Sequence, residues 1–390
     1  MIEIIHDALK KVVDEGKIPG GTFAYVSLDS QEFGAYGYSQ LEPFKKENNV
    51  DTLYDMASCS KVVATTTMIL KLMEEGLINL EDKVNKHLLE FPHENITIKH
   101  LLTHTSGLPG DDKRYKQCKN KDEFVKFMYS LSLNNEPGSF VEYSDFGYIT
   151  LGLIIEKYKG SIEDYANEKI FKPLGMNNTM YNPILKNRKD DCACAEVTDA
   201  RGVIQGEVHD GKAFILNGLS GNAGLFSNVK DLSKFVLMML NDGYPILKKE
   251  TIDLLKQCYT EKLNLPRTIG WMFNDLNTSC GDQISDVSLY HTGFSGTSIY
   301  IDYVNKISII LLTNRVHPNR NDTETILQLR KQIHNEILKK IKWLNLFCFY
   351  LFFHLLLCCI LYSILFVLSL NLYMIEVIIH LYNMHLDKLV

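Results

Sequence analysis

The sequence predicts an α/β fold of the α+β type, in which helices flank an antiparallel sheet and a helical subdomain is inserted into the sheet unit. Strand-like patterns occur near both ends of residues 1–340, and the segment between them is mostly helical with polar loops. Strands from the two ends then have to pair in one sheet. We expect the α/β part to comprise about 1–75 and 210–340, and the helical part about 76–209.

The N-terminal elements are a helix, a hairpin and a buried helix. Apolar residues at helical spacing, mixed with charges, predict an amphipathic helix that ends at Gly16. Aromatic and β-branched runs within 20–39, on either side of Asp29-Ser30, predict a β-hairpin. The segment 55–76 is apolar on most sides, which is typical of a helix in the middle of a domain.

The later elements alternate helices with a second set of strands. The stretch SDFGYITLGLIIEKYKG predicts a helix with Ser144 or Asp145 as its N-cap and Gly160 as its end. A glycine-rich loop, 218–227, precedes another helix. The runs SLYHTGFSGTSIYID and ISIILLTN have the spacing of a hairpin, and a polar helix is expected from about 322 to 342.

The C-terminal segment 344–375 contains no Asp, Glu, Lys or Arg. It is long enough to cross a bilayer, which takes about 20 residues, so we expect a single transmembrane helix. Lys339, Lys340 and Lys342 precede it, and the positive-inside tendency then places 1–343 on the cytoplasmic side. The alternatives are a buried core helix or an extension that is not native, and in the latter case the protein is cytoplasmic.

Composition excludes several classes of protein. The chain of 390 residues has 46% hydrophobic and 23% charged residues, as ordinary globular proteins do. A net charge of −6 and the absence of a basic stripe argue against nucleic-acid binding. Nine cysteines without a C-x-x-C pair predict free thiols in a reducing compartment, with neither a metal nor a cofactor. The N-terminus lacks the uninterrupted apolar run of a signal peptide.

A serine and a lysine near the start of the buried helix carry the first chemical signal. Ser58 and Lys61 are three residues apart, so they share one helical face. A serine hydroxyl is a weak nucleophile until its proton is removed, and a nearby lysine can take part in that removal. Tyr143, just before a later helix, has a phenol that needs a cation such as Lys61 to become a useful base. Each signal alone also fits an ordinary surface serine or a packed tyrosine.

A third motif, His291-Thr292-Gly293, follows late in the chain. A small glycine after two polar residues on a strand would let a substrate lie against the edge of the sheet, although a simple turn at the end of a strand has the same pattern. The order of S-x-x-K, Y-S-x and H-T-G, each at the boundary of an element, is more specific than any single motif.

With these motifs in this order, the chain resembles the superfamily of serine β-lactamases and penicillin-binding proteins. It is most similar to the group of class C β-lactamases, DD-peptidases and related esterases. The resemblance covers roughly 1–340 and includes the stretches HLLTHTSGLPG and GNAGLFSNVKDLSKF. It implies an antiparallel sheet flanked by helices with a helical subdomain beside it, and the segment after Lys342 has no counterpart in it.

The resemblance also implies roles for individual residues. Ser58 would be the acylated nucleophile, Lys61 its proton partner and Tyr143 the base that can return the proton to the leaving group. His291 would replace the lysine of K-T-G, with Thr292, Gly293 and Asp145 beside the substrate. The backbone N–H groups of Ser58 and Phe294 would form the oxyanion hole.

Two positions depart from the β-lactamase pattern. Asp145 stands where asparagine is usual; a carboxylate accepts but cannot donate a hydrogen bond to the substrate, so β-lactam recognition would suffer and Lys61 would stay charged. His291 replaces a permanent charge with a group that ordinarily titrates near pH 6.5, which predicts activity that bends between pH 5 and 8.

The sequence therefore predicts a serine hydrolase that acts on a small-molecule or short-peptide substrate, an ester or an amide. Esterase, D-amino-acid peptidase and β-lactamase activities all remain open, and the expected cytoplasmic side counts against a cell-wall substrate. The alternative is a membrane-anchored penicillin-binding or sensor protein that is acylated with little turnover. An α/β-hydrolase or a zinc hydrolase lacks its signature, because neither G-x-S-x-G nor H-E-x-x-H occurs. His104, His209 and Asp210 are expected to be mainly structural, with a substrate contact as the alternative for the last two.

Overall fold

The computed structural model describes residues 1–276 and 278–386, and its central feature is a seven-stranded sheet. The strands of the chain are β1 (Gly20–Ser27), β2 (Gln31–Gln40), β3 (Lys46–Glu47), β4 (Tyr54–Asp55), β5 (Met180–Tyr181), β6 (Cys194–Thr198), β7 (Gly202–Gln205), β8 (Leu225–Ser227), β9 (Met272–Phe273), β10 (Ser288–Thr292), β11 (Ser298–Asp302) and β12 (Ile307–Thr313). The large sheet has the order β3-β2-β1-β12-β11-β10-β9, with antiparallel neighbours. Strands β4-β8-β5 and β6-β7 form two small sheets.

The two ends of the chain meet in the middle of the large sheet. Strand β1 pairs with β12 from Gly21 opposite Thr313 to Ser27 opposite Ile307. Strand β1 also pairs with β2 in the predicted hairpin. The predicted fold class, an antiparallel sheet built from both ends of the chain and flanked by helices, is confirmed.

The α-helices of the described residues lie before, between and after the strands along the chain. They are α1 (Ile2–Asp14), α2 (Thr67–Glu74), α3 (Val84–His87), α4 (Ile98–Leu102), α5 (Lys121–Tyr129), α6 (Asp145–Lys159), α7 (Ile162–Ala166), α8 (Lys172–Leu174), α9 (Gly211–Ile215), α10 (Val229–Leu240), α11 (Lys249–Asp253) and α12 (Glu324–Leu386). Short 3₁₀ segments are Ala57–Cys59, Lys113–Gln117, Pro183–Lys186, Lys189–Asp191 and Leu254–Lys256, and π-helical segments are Lys61–Thr66 and Asn167–Phe171.

The main hydrophobic core lies between the sheet and the helices that carry the candidate site. Side chains alternate between the two faces of a strand, so Ala24 and Val26 of β1 reach this core together with Ile310 and Leu312 of β12. Helix α10 contacts both strands, and α6 packs near the segment that follows Ser58. The candidate site therefore lies next to the main hydrophobic core.

Local sequence signals set most of the element boundaries. Helix α6 begins after Ser144, whose side chain accepts a hydrogen bond from the N–H of Gly147, and ends at Gly160 with a φ of 77°. The predicted helix 55–76 differs, because its first part is a 3₁₀ turn and a π-helical segment and only Thr67–Glu74 is α-helical. The π-helical backbone places consecutive side chains differently from an α-helix, and such segments are frequent at functional sites.

Residues 1–337 form one compact unit and the residues from 338 onward form a second. The predicted polar helix and the predicted transmembrane helix are not separate elements, because α12 continues from Glu324 to Leu386. Within the first unit, α12 buries Ile326, Leu329 and Ile333. Among the described residues, this is the one helix long and apolar enough to cross a membrane by length and composition.

Candidate active site

Ser58 lies in a tight turn that several distant segments hold in place. The turn follows β4, and Ala57 has an unusual positive φ of 45°. The buried Asp55 carboxylate accepts the N–H of Ala57 at 2.8 Å and the N–H of His209 at 2.7 Å. The Ser295 hydroxyl donates to the Asp55 carbonyl at 2.8 Å. These bonds support the strained backbone beside the serine.

Lys61 is fully buried and points its ammonium at Ser58. Its Nζ donates to Ser58 Oγ at 3.0 Å, to Asp145 Oδ1 at 2.8 Å and to the carbonyl of Asn222 at 3.0 Å. A lysine ammonium has three N–H donors, so all of them are used. Burial lowers the pKa of Lys61, but the neighbouring Asp145 carboxylate and the Tyr143 phenol raise it more, and the net pKa lies above its usual value.

Asp145 bridges two buried lysines. Its Oδ1 accepts from Lys61, and its Oδ2 accepts from Lys212 at 3.1 Å. Lys212 also pairs with Asp111 at 2.9 Å. Burial raises the pKa of the Asp145 carboxyl, but the charges of Lys61 and Lys212 outweigh it and hold the pKa at about 2. The sequence suggested Asp145 as a substrate contact, whereas the structure places its oxygens against the two lysines.

Tyr143 stands one residue before the N-cap of α6 and turns toward Ser58 and Lys61. The Lys61 ammonium is 5.0 Å from the centre of its ring, and the phenol interacts with both Lys61 and Ser58. Burial raises the pKa of the Tyr143 phenol, with the Lys61 charge acting in the opposite direction, and the net pKa is above its usual value. The resting group is therefore a neutral phenol.

His104 supports Tyr143 from behind. Its ring lies 4.4 Å from that of Tyr143 and 5.1 Å from that of Tyr148, and its Nδ1 accepts the N–H of Ser144 at 3.1 Å. Burial, with the charges of Arg267 and Lys61, lowers its pKa well below the usual value. His104 thus acts as a structural hydrogen-bonding residue, in agreement with the expectation from the sequence.

His291 is buried and uncharged. Burial, together with the charges of Lys61 and Arg267, lowers its pKa well below the usual value. Its Nδ1 donates to the Thr292 carbonyl at 3.0 Å, which leaves Nε2 as an acceptor that no described residue satisfies. This lowered pKa argues against the expectation that His291 supplies a titrating charge in the place of a lysine, because the imidazole is buried and the charges of Lys61 and Arg267 oppose its protonation.

Gly293 allows the turn after β10 to approach the serine turn. A Cβ at this position would lie 2.1 Å from Thr297 Oγ1 and 2.5 Å from the Met56 carbonyl oxygen. Glycine is therefore required at this position because other residues of the protein occupy the space that a side chain would need. The sequence had suggested instead that the glycine leaves room for a substrate. Phe294 follows, and none of the described residues accepts a hydrogen bond from its backbone N–H. This free donor suits an oxyanion hole.

The groups converge on one cleft of 330 Å³. It is lined by the side chains that the motifs predicted and by residues that the sequence did not single out. The predicted residues are Ser58, Tyr143, His291, Thr292, Gly293 and Phe294, while Lys61 and Asp145 lie behind them. The other polar lining residues are Arg267, Arg315, Arg330 and Thr323.

Arg267, Arg315 and Arg330 are buried at this cleft, with exposures of 7%, 5% and 3%. Arg330 donates to the Thr297 carbonyl at 2.7 Å, and Arg315 donates to the carbonyl of Asp322 at 3.0 Å. Arg267 leaves its Nε and Nη1 without partners among the described residues. Burial lowers the pKa of Arg267, and Tyr143, Tyr148 and Asp275 offset this lowering only in part. In the described chain, none of the three forms an ion pair.

The sequence did not single out these arginines or Lys212, because the residues beside them match no motif. It also did not single out the Asn222 carbonyl, although Asn222 lies in the stretch GNAGLFSNVKDLSKF, because a backbone acceptor is not visible in the residue type. His209 and Asp210 are structural, as expected. His209 pairs with Glu196 at 2.9 Å, and Asp210 caps α9 through the N–H of Ala213 at 2.8 Å.

An antiparallel sheet flanked by helices, with a serine, a lysine and a tyrosine at one cleft, is typical of serine hydrolases. The family model described as Beta-lactamase matches residues 5–332. The chain is 32% identical over 304 residues to a protein of Escherichia coli (strain K12) named "Putative D-alanyl-D-alanine carboxypeptidase", a match that covers 68% of this chain and 70% of that one.

Two solved structures share the fold. Unliganded simvastatin synthase from Aspergillus terreus matches with a TM-score of 0.70 and 21% identity, over 87% of this chain and 98% of that one. A penicillin-binding protein homologue from Pyrococcus abyssi matches with a TM-score of 0.66 and 24% identity, over 80% and 73%. The chain belongs to the β-lactamase family, whose members are generally serine hydrolases.

Proposed function

We propose that the protein is a serine hydrolase in which Ser58 forms an acyl-enzyme with the carbonyl carbon of an ester or amide. The observation that carries this proposal is the hydrogen bond of Ser58 Oγ with the buried Lys61 ammonium at 3.0 Å, with the ring of Tyr143 centred 5.0 Å from that ammonium. A hydroxyl held by a cation and a phenol at the base of a cleft is placed for nucleophilic attack.

Proton transfer in this reaction passes through Tyr143. Lys61 is an ammonium, so it cannot accept the serine proton at rest, and it stabilises negative charge on the neighbouring oxygens instead. As Ser58 Oγ attacks the carbonyl carbon, its proton moves to the Tyr143 oxygen, and the proton of Tyr143 moves to the leaving nitrogen or oxygen. The charge that develops on the carbonyl oxygen faces the N–H groups of Ser58 and Phe294. Water then releases the acyl group by the same path in reverse.

The uncompensated arginines favour an anionic substrate. Buried charges are normally paired or bound to strong acceptors, yet Arg267 lines the cleft and its buried Nε and Nη1 have no hydrogen-bond partner among the described residues. Its guanidinium is 5.9 Å from the ring of Tyr143, the residue proposed to protonate the leaving group. This geometry supports a leaving group that carries a carboxylate, such as the terminal residue of a D-amino-acid peptide, over a neutral ester. The name of the Escherichia coli relative agrees with this class.

A panel of substrates tests the proposal. We expect the protein to hydrolyse a peptide ending in D-Ala-D-Ala faster than its C-terminal amide, with a neutral p-nitrophenyl ester as a weak substrate and nitrocefin poor. Ser58→Ala should abolish every activity that the protein has. Arg267→Gln should raise KM for the free-acid peptide about 10- to 100-fold, the effect of losing one hydrogen bond between charged groups, and leave the ester unchanged.

Three outcomes separate the alternatives. Hydrolysis that survives Ser58→Ala removes the proposed nucleophile. Equal rates on the acid and the amide remove the preference for an anion and favour an esterase. An acyl-enzyme that mass spectrometry still detects after hours indicates a penicillin-binding or sensor protein with little turnover.

A further inference from the structure

Lys212 is a second buried lysine next to the candidate site, and the reaction proposed above does not use it. Its Nζ contacts Asp145 Oδ2 at 3.1 Å and Asp111 Oδ1 at 2.9 Å. Its side chain is 7% exposed, whereas that of Asp111 is 53% exposed. The inner partner, Asp145, is therefore the one shielded from water. An ion pair in that position is stronger than one on the surface.

The hydrogen bonds around Asp145 divide it evenly between the two lysines. A carboxylate has two oxygens, and here each oxygen accepts from one ammonium. If Lys212 were absent, both oxygens would be free to turn toward Lys61. That ammonium already spends its remaining donors on Ser58 Oγ and the Asn222 carbonyl, so a stronger hold by Asp145 would draw it away from the serine.

We infer that Lys212 is a positioning residue of the proposed hydrolase, which acts through Asp145 to keep the Lys61 ammonium at Ser58 Oγ. This inference rests on the proposed function. Lys212 does not line the cleft, so it reaches the reacting atoms only through the carboxylate.

The backbone around Lys212 is tied to the same site. Asp210 is the N-cap of α9, and its Oδ1 accepts the N–H of Ala213 at 2.8 Å and the side-chain amide of Asn222 at 3.0 Å. The carbonyl of Asn222 is one of the three acceptors of Lys61. The Asp210 carboxylate thus fixes both the backbone next to Lys212 and the loop whose Asn222 carbonyl binds Lys61. The positions of the two lysines are therefore linked.

The surroundings predict a signature in the pH dependence. The titratable and charged groups that face Asp145 and Lys212 are Lys61, Tyr143, Asp111, Asp210 and Tyr115. Without Lys212, only Lys61 opposes the effect of burial, and the pKa of Asp145 rises. A protonated Asp145 no longer holds Lys61 in place, so activity is lost as the pH falls through this raised pKa.

The test compares Lys212→Met with Lys71→Met in the full-length protein. Lys71 is also partly buried and pairs with a carboxylate, Glu74, at 3.0 Å, but it lies outside the cleft lining. On whichever substrate of the panel above the parent turns over, we expect kcat to fall about 10²-fold in Lys212→Met, the scale of a small misplacement of a catalytic group. Its rate should also fall as the pH decreases from about 6 to 4, where burial can bring an aspartate pKa. Lys71→Met should keep the kcat and the pH profile of the parent.

A double variant keeps the test decisive if Lys212→Met is unstable. Asp145→Asn leaves two ammonium groups facing each other, whereas Asp145→Asn/Lys212→Met removes both charges of the pair. We expect the double variant to be more active than Asp145→Asn and to lack the acid limb. Single effects that simply multiply, or a Lys212→Met profile identical to that of the parent, would overturn the positioning role.

The two levels of the proposal fail in different ways. Activity that persists in Ser58→Ala removes the hydrolase mechanism itself, whatever Lys212 does. Activity that needs Ser58 but ignores Lys212 and shows no coupling to Asp145 leaves the hydrolase in place and removes only the inference about Lys212.

Discussion

At the scale of single residues, the candidate site is a set of groups that hold fixed protonation states. Asp145 has a pKa of about 2, and the pKa of Lys61 lies above its usual value. The pKa of Tyr143 is raised and that of His291 is lowered well below its usual value, in both cases chiefly by burial. The charged Lys61 and Asp145 are paired with each other, and the neutral His291 is buried. Tyr143 is 36% exposed, but its phenol is neutral beside the Lys61 ammonium.

This arrangement predicts a flat pH profile. Asp145 is ionised above about pH 2, and the raised pKa of Lys61 favours its charged form. We expect Tyr143 and His291 to be neutral between pH 5 and 8, because the pKa of Tyr143 is raised and that of His291 is lowered. None of these groups changes its proton in that interval, so kcat/KM for a non-titrating substrate should vary less than about 2-fold there. Steady-state rates in buffers of constant ionic strength measure this directly.

His291→Gln is the control for that profile. Glutamine retains an acceptor oxygen but does not titrate, so the variant should show the same flat profile at a lower rate. If the rate of the parent bends between pH 5 and 8 and the bend is absent from His291→Gln, the imidazole titrates in this range. Burial would then not lower the pKa of His291 enough to keep it neutral.

The site residues that the sequence predicted belong to recognisable motifs, whereas those that it did not predict lie outside them. Ser58 and Lys61 are near neighbours along the chain, so their contact follows from helical spacing. Lys212 reaches Asp145 across 67 positions, and Arg267 enters the cleft from a loop with no motif. Such contacts depend on how distant segments pack, which no local pattern in the chain records.

At the scale of elements, the site depends on two turns that touch. Gly293, in the turn after β10, packs directly against Met56 and Ala57 of the strained turn that carries Ser58. The Thr297 hydroxyl also donates a hydrogen bond to the Met56 carbonyl at 3.0 Å. The closest atoms around Gly293 belong partly to the backbone, which cannot move aside as a flexible side chain does. The distance between the serine and the Phe294 N–H is therefore set by the lack of a Cβ.

We expect Gly293→Ala to damage both stability and activity. The new methyl group would force the two turns apart, and overpacking of this kind costs about 1–3 kcal/mol of unfolding free energy. The shift would also displace the Phe294 N–H from the developing oxyanion, and losing one such donor lowers kcat about 10²–10³-fold. Denaturant unfolding and steady-state kinetics measure the two effects.

Gly147→Ala is the matched substitution for this comparison. Gly147 lies in the first turn of α6, where a Cβ would meet Leu101 at an ordinary 3.6 Å. Alanine favours a helix over glycine by about 0.8–1.0 kcal/mol, so this variant should be at least as stable as the parent. A Gly293→Ala protein with the kcat of the parent would show that the two turns do not set the oxyanion geometry.

At the scale of the whole molecule, the sheet joins strands that lie almost the whole domain apart in sequence. Aromatic and β-branched runs near both ends of residues 1–340 made this sheet predictable, because such runs are typical of strands and the backbone N–H and C=O groups of a strand need a partner strand. The helix that follows Ser58 was harder to predict. Its apolar residues predict an α-helix, but the backbone of Lys61–Thr66 is π-helical. This segment makes tertiary contacts that the local sequence does not show, such as the hydrogen bond from the Thr65 hydroxyl to the Gly221 carbonyl at 2.7 Å.

The C-terminal part of α12 gives the last prediction. Residues 344–375 would span about 48 Å as a helix, more than the roughly 30 Å of a bilayer's hydrocarbon core, and their large apolar side chains, such as Phe352 at 66%, are exposed. We expect the full-length chain to stay with membranes after alkaline carbonate extraction and to need detergent for release.

A chain ending at Lys342 should appear in the soluble fraction with unchanged kcat. Replacing Leu357 and Ile364 with lysine, at about 2.5–3.5 kcal/mol each against insertion, should shift the full-length chain to the carbonate supernatant. Release of the unmodified full-length chain by carbonate alone would rule out a membrane span.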